Sequence, residues 1–309
     1  MRQVLRRAAS GLWRFRDSRA GYIALWTLVM VFLGRAAVNA YQDYAGVPPF
    51  SVTAFSLGIA AVVVHAAALP VKWHYLLQAE GADLGFLKTG KIFYLSQLSS
   101  YIPGGVWQYL EMGYRAAADG TDMNDVAHSV AYLNGVTVTA ALFYALIAAA
   151  ITVPGYRAAA GGGAVAMLAV TIWSADIVER LKGELSGWIE LPAYHPSRRT
   201  LATLFAVSLA LWGVAGASVF FLTDAFTRVT LAQFPAISGA FAFAWAAGFL
   251  VLVVPGGLGI REGTLIYLLT TFVPRPAVLA VAVTARVLMM AGEVAMAAGY
   301  TVAARWLEP

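Results

Sequence analysis

Apolar residues fill this chain in successive blocks of about 18–25 residues, the length an α-helix needs to cross the hydrocarbon core of a bilayer. The blocks fall at about 21–40, 51–71, 127–153, 163–178, 201–224 and 277–304, with short polar stretches between them. Two further blocks depart from this pattern. From Ile92 the chain is apolar for only about ten residues, meets Pro103-Gly104-Gly105, and is polar by Glu111. Residues 235–273 repeat the arrangement, with Pro255-Gly256-Gly257 at the break. Proline removes a backbone donor and clashes with the preceding turn, and paired glycines form helix poorly, so a helix must break at both points. Ten residues of helix rise about 15 Å, half a bilayer. The pattern therefore predicts an all-α polytopic membrane protein with six full spans, two re-entrant hairpins and a pseudo-repeat of its halves.

Composition agrees. The chain is 60% hydrophobic and only 12% charged, too apolar for an ordinary soluble domain. Its excess of +5 collects at the N-terminus and is not a nucleic-acid signal. Arg2, Arg6, Arg7, Arg14, Arg16 and Arg19 face only Asp17 there. Residues 1–20 read as a basic interfacial segment lying on anionic headgroups, and 21–305 as a single membrane domain. Val38-Asn39-Ala40 looks like a signal-peptidase site, but the basic stretch before it is too long for a leader. The loop 41–50 has no Lys or Arg, whereas Lys72, Lys88 and Lys91 follow the second block. The positive-inside rule then puts both termini in the cytoplasm, and the plasma (inner) membrane is the expected location. Trp26, Tyr41, Tyr44, Trp73, Tyr75 and Trp306 fall near block ends, as an interfacial aromatic belt would.

Charge inside a span is expensive, about 2.5–3.5 kcal/mol for a central Arg or Asp, so its placement carries information. Arg286 and Glu293 stand seven residues apart in the last block, two turns along one face. They either line one cavity or are each neutralised by a structural partner, Glu262 for Arg286. Arg261 and Glu262 directly follow the second glycine pair. Glu262 in a first turn complements the helix dipole. The same helix end, with Arg261 beside it, can bind an anion such as a phosphate. Gln108, Glu111 and Arg115 share a helical face after the first break, and Glu111 and Arg115 can pair with each other. Lone polar residues within spans, His65 and Asn134, read as interhelical hydrogen bonds. Asp119, Asp122 and Asp125 read as a loop and helix cap, without calcium-loop spacing. Four scattered histidines, no cysteine, no serine elbow and no Walker loop leave no catalytic residue, metal site or cofactor to expect.

Val254-Pro255-Gly256-Gly257-Leu258-Gly259-Ile260-Arg261-Glu262-Gly263 resembles the Pro-Gly-Gly-x-Gly-[Val/Ile]-Arg-Glu signature of the lysylphosphatidylglycerol synthase transmembrane region, also called the flippase-like family. Tyr101-Ile102-Pro103-Gly104-Gly105-Val106-Trp107 resembles the family's first Pro-Gly-Gly element, although Val106-Trp107-Gln108 stand where a glycine and an acidic residue are commoner. Arg286 matches a position where the family commonly has arginine. The resemblance spans about residues 20–305. It implies a stand-alone, flippase-like protein that moves a lipid between leaflets, without the aminoacyl-transferring domain of the best-known members.

Together these readings give a translocator for an anionic phospholipid or a polyprenyl-phosphate-linked lipid. Arg261, Arg286, Gly256, Gly257, Arg115 and Gln108 would contact the phosphate. Glu262, Glu111 and Glu293 would set cavity polarity, and Pro103, Gly104, Gly105 and Pro255 would make the breaks. The expected partners are a membrane lipid and a separately encoded synthase or transferase, not nucleic acid. Two other functions fit the composition: a scaffold for such a synthase, and an embedded glycosyl- or lipid-modifying enzyme. The latter needs an outer-loop acid, and Asp43 is the only one in 41–50.

Overall fold

The computed structural model describes residues 35, 50–82, 84–101, 107–185, 196–251 and 255–307. The basic segment and nearly all of the first apolar block lie outside the described residues, as do Pro103, Gly104 and Gly105. Residues 47–309 form one compact unit.

The second apolar block becomes α1, Val52–Ala79. Ser51 starts it: its hydroxyl accepts the Ala54 N–H at 3.3 Å, supplying one orphan donor of the first turn. The helix passes straight through Pro70 and runs eight residues beyond the expected end at 71. Lys72 is thus a helical residue inside the protein, not a loop charge. Trp73 is fully buried, and its indole N–H donates to Ser129 Oγ at 3.0 Å. This corrects its placement in an interfacial belt. Trp306, 83% exposed, does sit at a helix end facing outward.

Two short helices follow, α2 (Phe86–Gln97) and α3 (Trp107–Ala118), of 12 residues each. At 1.5 Å per residue each is about 18 Å long, too short to cross alone. A 3₁₀ turn, Leu98–Tyr101, ends α2. The long α4, Met123–Thr152, closes this group. The next block is bent by 64° between α5 (Arg157–Ile172) and α6 (Ser174–Leu185).

The same order then recurs. A long α7 (Arg198–Thr227) precedes α8 (Phe234–Leu250). The 3₁₀ turn Pro255–Gly257 leads to the short α9 (Ile260–Leu269), and the long α10 (Arg275–Leu307) closes the group. The arms of this second broken segment are unequal, 17 and 10 residues, and they pack on one another.

Contacts between the first helices of the two groups show how they are related. Ser51 N–H donates to Ala225 O at 3.0 Å, Gly58 lies against Leu222, and His65 Nδ1 meets Leu211 O at 3.1 Å. Advancing along α1 means retreating along α7, so the two helices are antiparallel and the groups are inverted. The exchange is reciprocal: α10 packs on α2, and α4 packs on α8. Close approach there needs small residues; a Cβ on Gly239 of α8 would collide with Ala148 of α4. The turns Leu98–Tyr101 and Pro255–Gly257 touch each other. Inverted repeats whose broken helices meet are the arrangement in which transporters place a substrate site.

Among the described residues five helices are long and apolar enough to cross a membrane, or six if the bent α5–α6 pair is one span. This is a multi-pass, all-α membrane protein. The first arm of the second hairpin, Leu231–Leu250, is itself among the five. By length and composition this arm is thus a candidate span, where the sequence pattern predicted half of a re-entrant hairpin, because it runs on to Leu250 before the break.

Candidate functional site

Where the two turns meet, the structure holds a cavity of about 200 Å³. Its walls come from both inverted groups. Lys72 and His65 come from α1, Tyr94 from α2, Gln108 and Tyr109 from α3, Asn134 and Thr137 from α4. Trp212 comes from α7, Trp245 and Gly248 from α8, and Arg286 and Glu293 from α10. Gly256, Gly257 and Arg261 supply the broken segment itself.

The second break builds the most detailed part of the site. Gly256 and Gly257 adopt φ of 56° and 66°, left-handed values that disfavour any residue with a Cβ. A Cβ on Gly257 would also lie 2.8 Å from Gly248 O and 2.9 Å from Arg261 Nε, and one on Gly248 would collide with Arg261 Cγ. The two glycines thus form a slot through which the Arg261 side chain passes. Beyond the slot its guanidinium lies over the Trp245 ring, 5.2 Å from the centroid. The cation–π contact sets the guanidinium face against the indole.

Glu262 has two tasks. Its Oε2 accepts the Gly259 N–H at 2.6 Å, so the end of α9 carries its own carboxylate. Its Oε1 faces Arg286 Nε at 3.6 Å. Arg286 in turn donates from Nη2 to Gly256 O at 3.2 Å and is 8% exposed. Hence Arg286 clamps the turn and Glu262 holds Arg286. At the α9 terminus Glu262 takes the Gly259 N–H, the helix-start role expected of it, and Arg261 stands beside it on the cavity wall.

The other expected positions divide. Gln108 lines the cavity, as do Arg286 and Glu293, two turns apart on α10. Glu111 and Arg115 are paired at 2.6 Å, one turn apart on α3, and neither lines the cavity. Asn134 accepts from Tyr109 Oη at 3.2 Å and donates to Val130 O at 2.7 Å. It and His65 make the hydrogen bonds expected of them and line the cavity as well. Asp119 pairs with Lys88 at 3.8 Å. No group of acids and histidines among the described residues is arranged to hold a metal ion.

Sequence reasoning missed Lys72, Tyr109, Trp212, Trp245 and Gly248. Lys72 carried a signal: Val62, His65, Ala66, Leu69 and Lys72 are spaced three and four apart, a single helical stripe that Pro70 obscured. Glu80, just past α1, was also missed. Burial, and then the Asp125 carboxylate, push its carboxyl up to about 8, so it keeps its proton at neutral pH.

The family model for the lysylphosphatidylglycerol synthase TM region matches residues 20–296. None of the curated proteins matches the chain.

Proposed function

The chain belongs to the lysylphosphatidylglycerol synthase TM-region family, and from that premise we propose that its cavity is the headgroup site of a lipid translocator. The family ties the chain to membrane-lipid chemistry. Movement between leaflets, with an anionic headgroup as cargo, is our reading of the site. One observation carries it: Arg261 is threaded through a glycine slot, laid over Trp245, and exposed to a cavity where two inverted helix breaks meet. A guanidinium held at a membrane-embedded cavity matches a phosphodiester in charge and in fork geometry. The acyl chains stay in the bilayer while the headgroup crosses through the protein. We place both termini on the cytoplasmic side of the plasma membrane, with a separately encoded synthase or transferase supplying the lipid.

Purified protein in proteoliposomes of zwitterionic lipid, doped with tail-labelled phosphatidylglycerol, tests this. Dithionite added outside should bleach nearly all the label instead of about half, while tail-labelled phosphatidylcholine stays half protected. Half protection for both probes, or full bleaching of both alike, would overturn the proposal.

A further inference from the structure

Lys72 is 5% exposed and lines the cavity from α1. Among the described residues its ammonium donates one hydrogen bond, to Thr137 Oγ1 at 2.8 Å. Thr137 gives its own proton to Leu133 O at 2.6 Å, so it meets Lys72 purely as an acceptor. An ammonium has three donors and no acceptor. No ion pair joins Lys72 to any described residue. A buried cation with one neutral partner is a poor structural element: an apolar side chain of similar length would pack there without the desolvation penalty. The position makes sense when an anion from outside the protein completes it.

The cavity connects this cation to Arg261 by a defined wall. Arg261 lies over Trp245, whose ring centroid is 5.0 Å from that of Trp212. The Trp212 indole N–H donates to Thr137 O at 3.3 Å, and Thr137 is the residue that holds Lys72. Two indoles therefore separate two cations, one on each inverted group. Two turns back along the α1 stripe, His65 Nδ1 donates to Leu211 O, which leaves Nε2 of the neutral ring as an acceptor for a headgroup hydroxyl.

We propose that Lys72 binds a second acidic group on the lipid whose phosphate contacts Arg261, so that the substrate class is a lipid with two acidic headgroup groups. This deepens the headgroup reading and rests on Arg261 as its first anion contact. The shared chemistry is a headgroup with two phosphates, on either a glycerolipid or a polyprenyl tail.

Native mass spectrometry of the purified protein, titrated with matched lipid pairs, tests it. One pair is phosphatidylglycerol and phosphatidylglycerophosphate; the other is a polyprenyl monophosphate and the diphosphate of equal chain length. Wild type should hold the two-phosphate member of one pair about ten-fold tighter than its partner, and the pair showing the difference names the tail. Lys72→Met should erase the difference, by lowering two-phosphate binding about ten-fold more than one-phosphate binding, whereas Lys72→Arg should keep it. Lys72→Met should also melt at or above the wild-type temperature, because it removes a buried charge.

Equal affinities in wild type, or an equal loss for both members in Lys72→Met, would overturn the proposal. So would a lower melting temperature for Lys72→Met, which would make Lys72 structural. If Arg261→Gln leaves every affinity intact, it is the headgroup reading itself that fails. If only the Lys72 proposal fails, Arg261 will still be required.

Discussion

Arg261→Gln should reduce movement of tail-labelled phosphatidylglycerol by about 30- to 150-fold while leaving the fold in place. The estimate follows from a charge-assisted, bidentate contact worth about 2–3 kcal/mol when well formed, with each 1.4 kcal/mol worth about ten-fold. Glutamine keeps much of the stem that fills the slot between Gly248 and Gly257 but carries no charge and no fork. The stability change should be small, because glutamine keeps that stem, and the stacking on Trp245 that it gives up is worth about 0.5–1 kcal/mol at an exposed site and more when desolvated. Dithionite bleaching rates, read beside thermal melts, separate the two effects. A wild-type rate in Arg261→Gln would remove this side chain from the site. A collapse of the melt would assign it to the fold instead.

Glu262→Ala should be the most destabilising single change at the break, by roughly 3–5 kcal/mol. The side chains on both sides of the pair are close to buried, 9% exposed for Arg286 and 12% for Glu262. Removing one partner of a buried ion pair strands the other's charge in low dielectric. Alanine also loses the hydrogen bond to Gly259 N–H, a cap worth about 1 kcal/mol. Glu262→Gln divides these contributions, because glutamine at this helix position still reaches back to the cap N–H but cannot offset Arg286. It should therefore melt between wild type and Glu262→Ala, about 1 kcal/mol above the latter. Differential scanning fluorimetry in a fixed detergent measures both. A Glu262→Gln protein as stable as wild type would mean that the carboxylate charge is not what holds Arg286.

The break at Pro255–Gly257 was legible because its cause is local: a proline and two glycines in an apolar run leave a helix no alternative. Most long helices were legible for the same reason, through block length. The error at α1 has an equally local origin. Pro70 resembles a stop, but a proline inside a membrane helix is tolerated where neighbouring helices satisfy the freed backbone groups, and α1 continues to Ala79, so Lys72 was misplaced. The pairing of Arg286 with Glu262 was one of two alternatives in the sequence, and only the fold, which brings α9 against α10, decided between them. Antiparallel packing of α1 on α7, which inverts the two groups, depends on contacts between residues such as 51 and 225. No window of sequence contains both. Trp212 and Trp245 looked like any other apolar residues of a span; only the cavity distinguishes them.

An anionic lipid in the cavity is the central expectation, and the most direct measurement is to identify the lipids that leave the membrane with the wild-type protein. Native mass spectrometry of protein extracted in mild detergent, with the released lipids sequenced by fragmentation, would do so. One anionic class should come away with the protein, bound at about one per chain and enriched over its share of the membrane. This class should be lost from Arg261→Gln. Lipids bound in the proportions of the surrounding membrane, and equally by both proteins, would contradict that expectation.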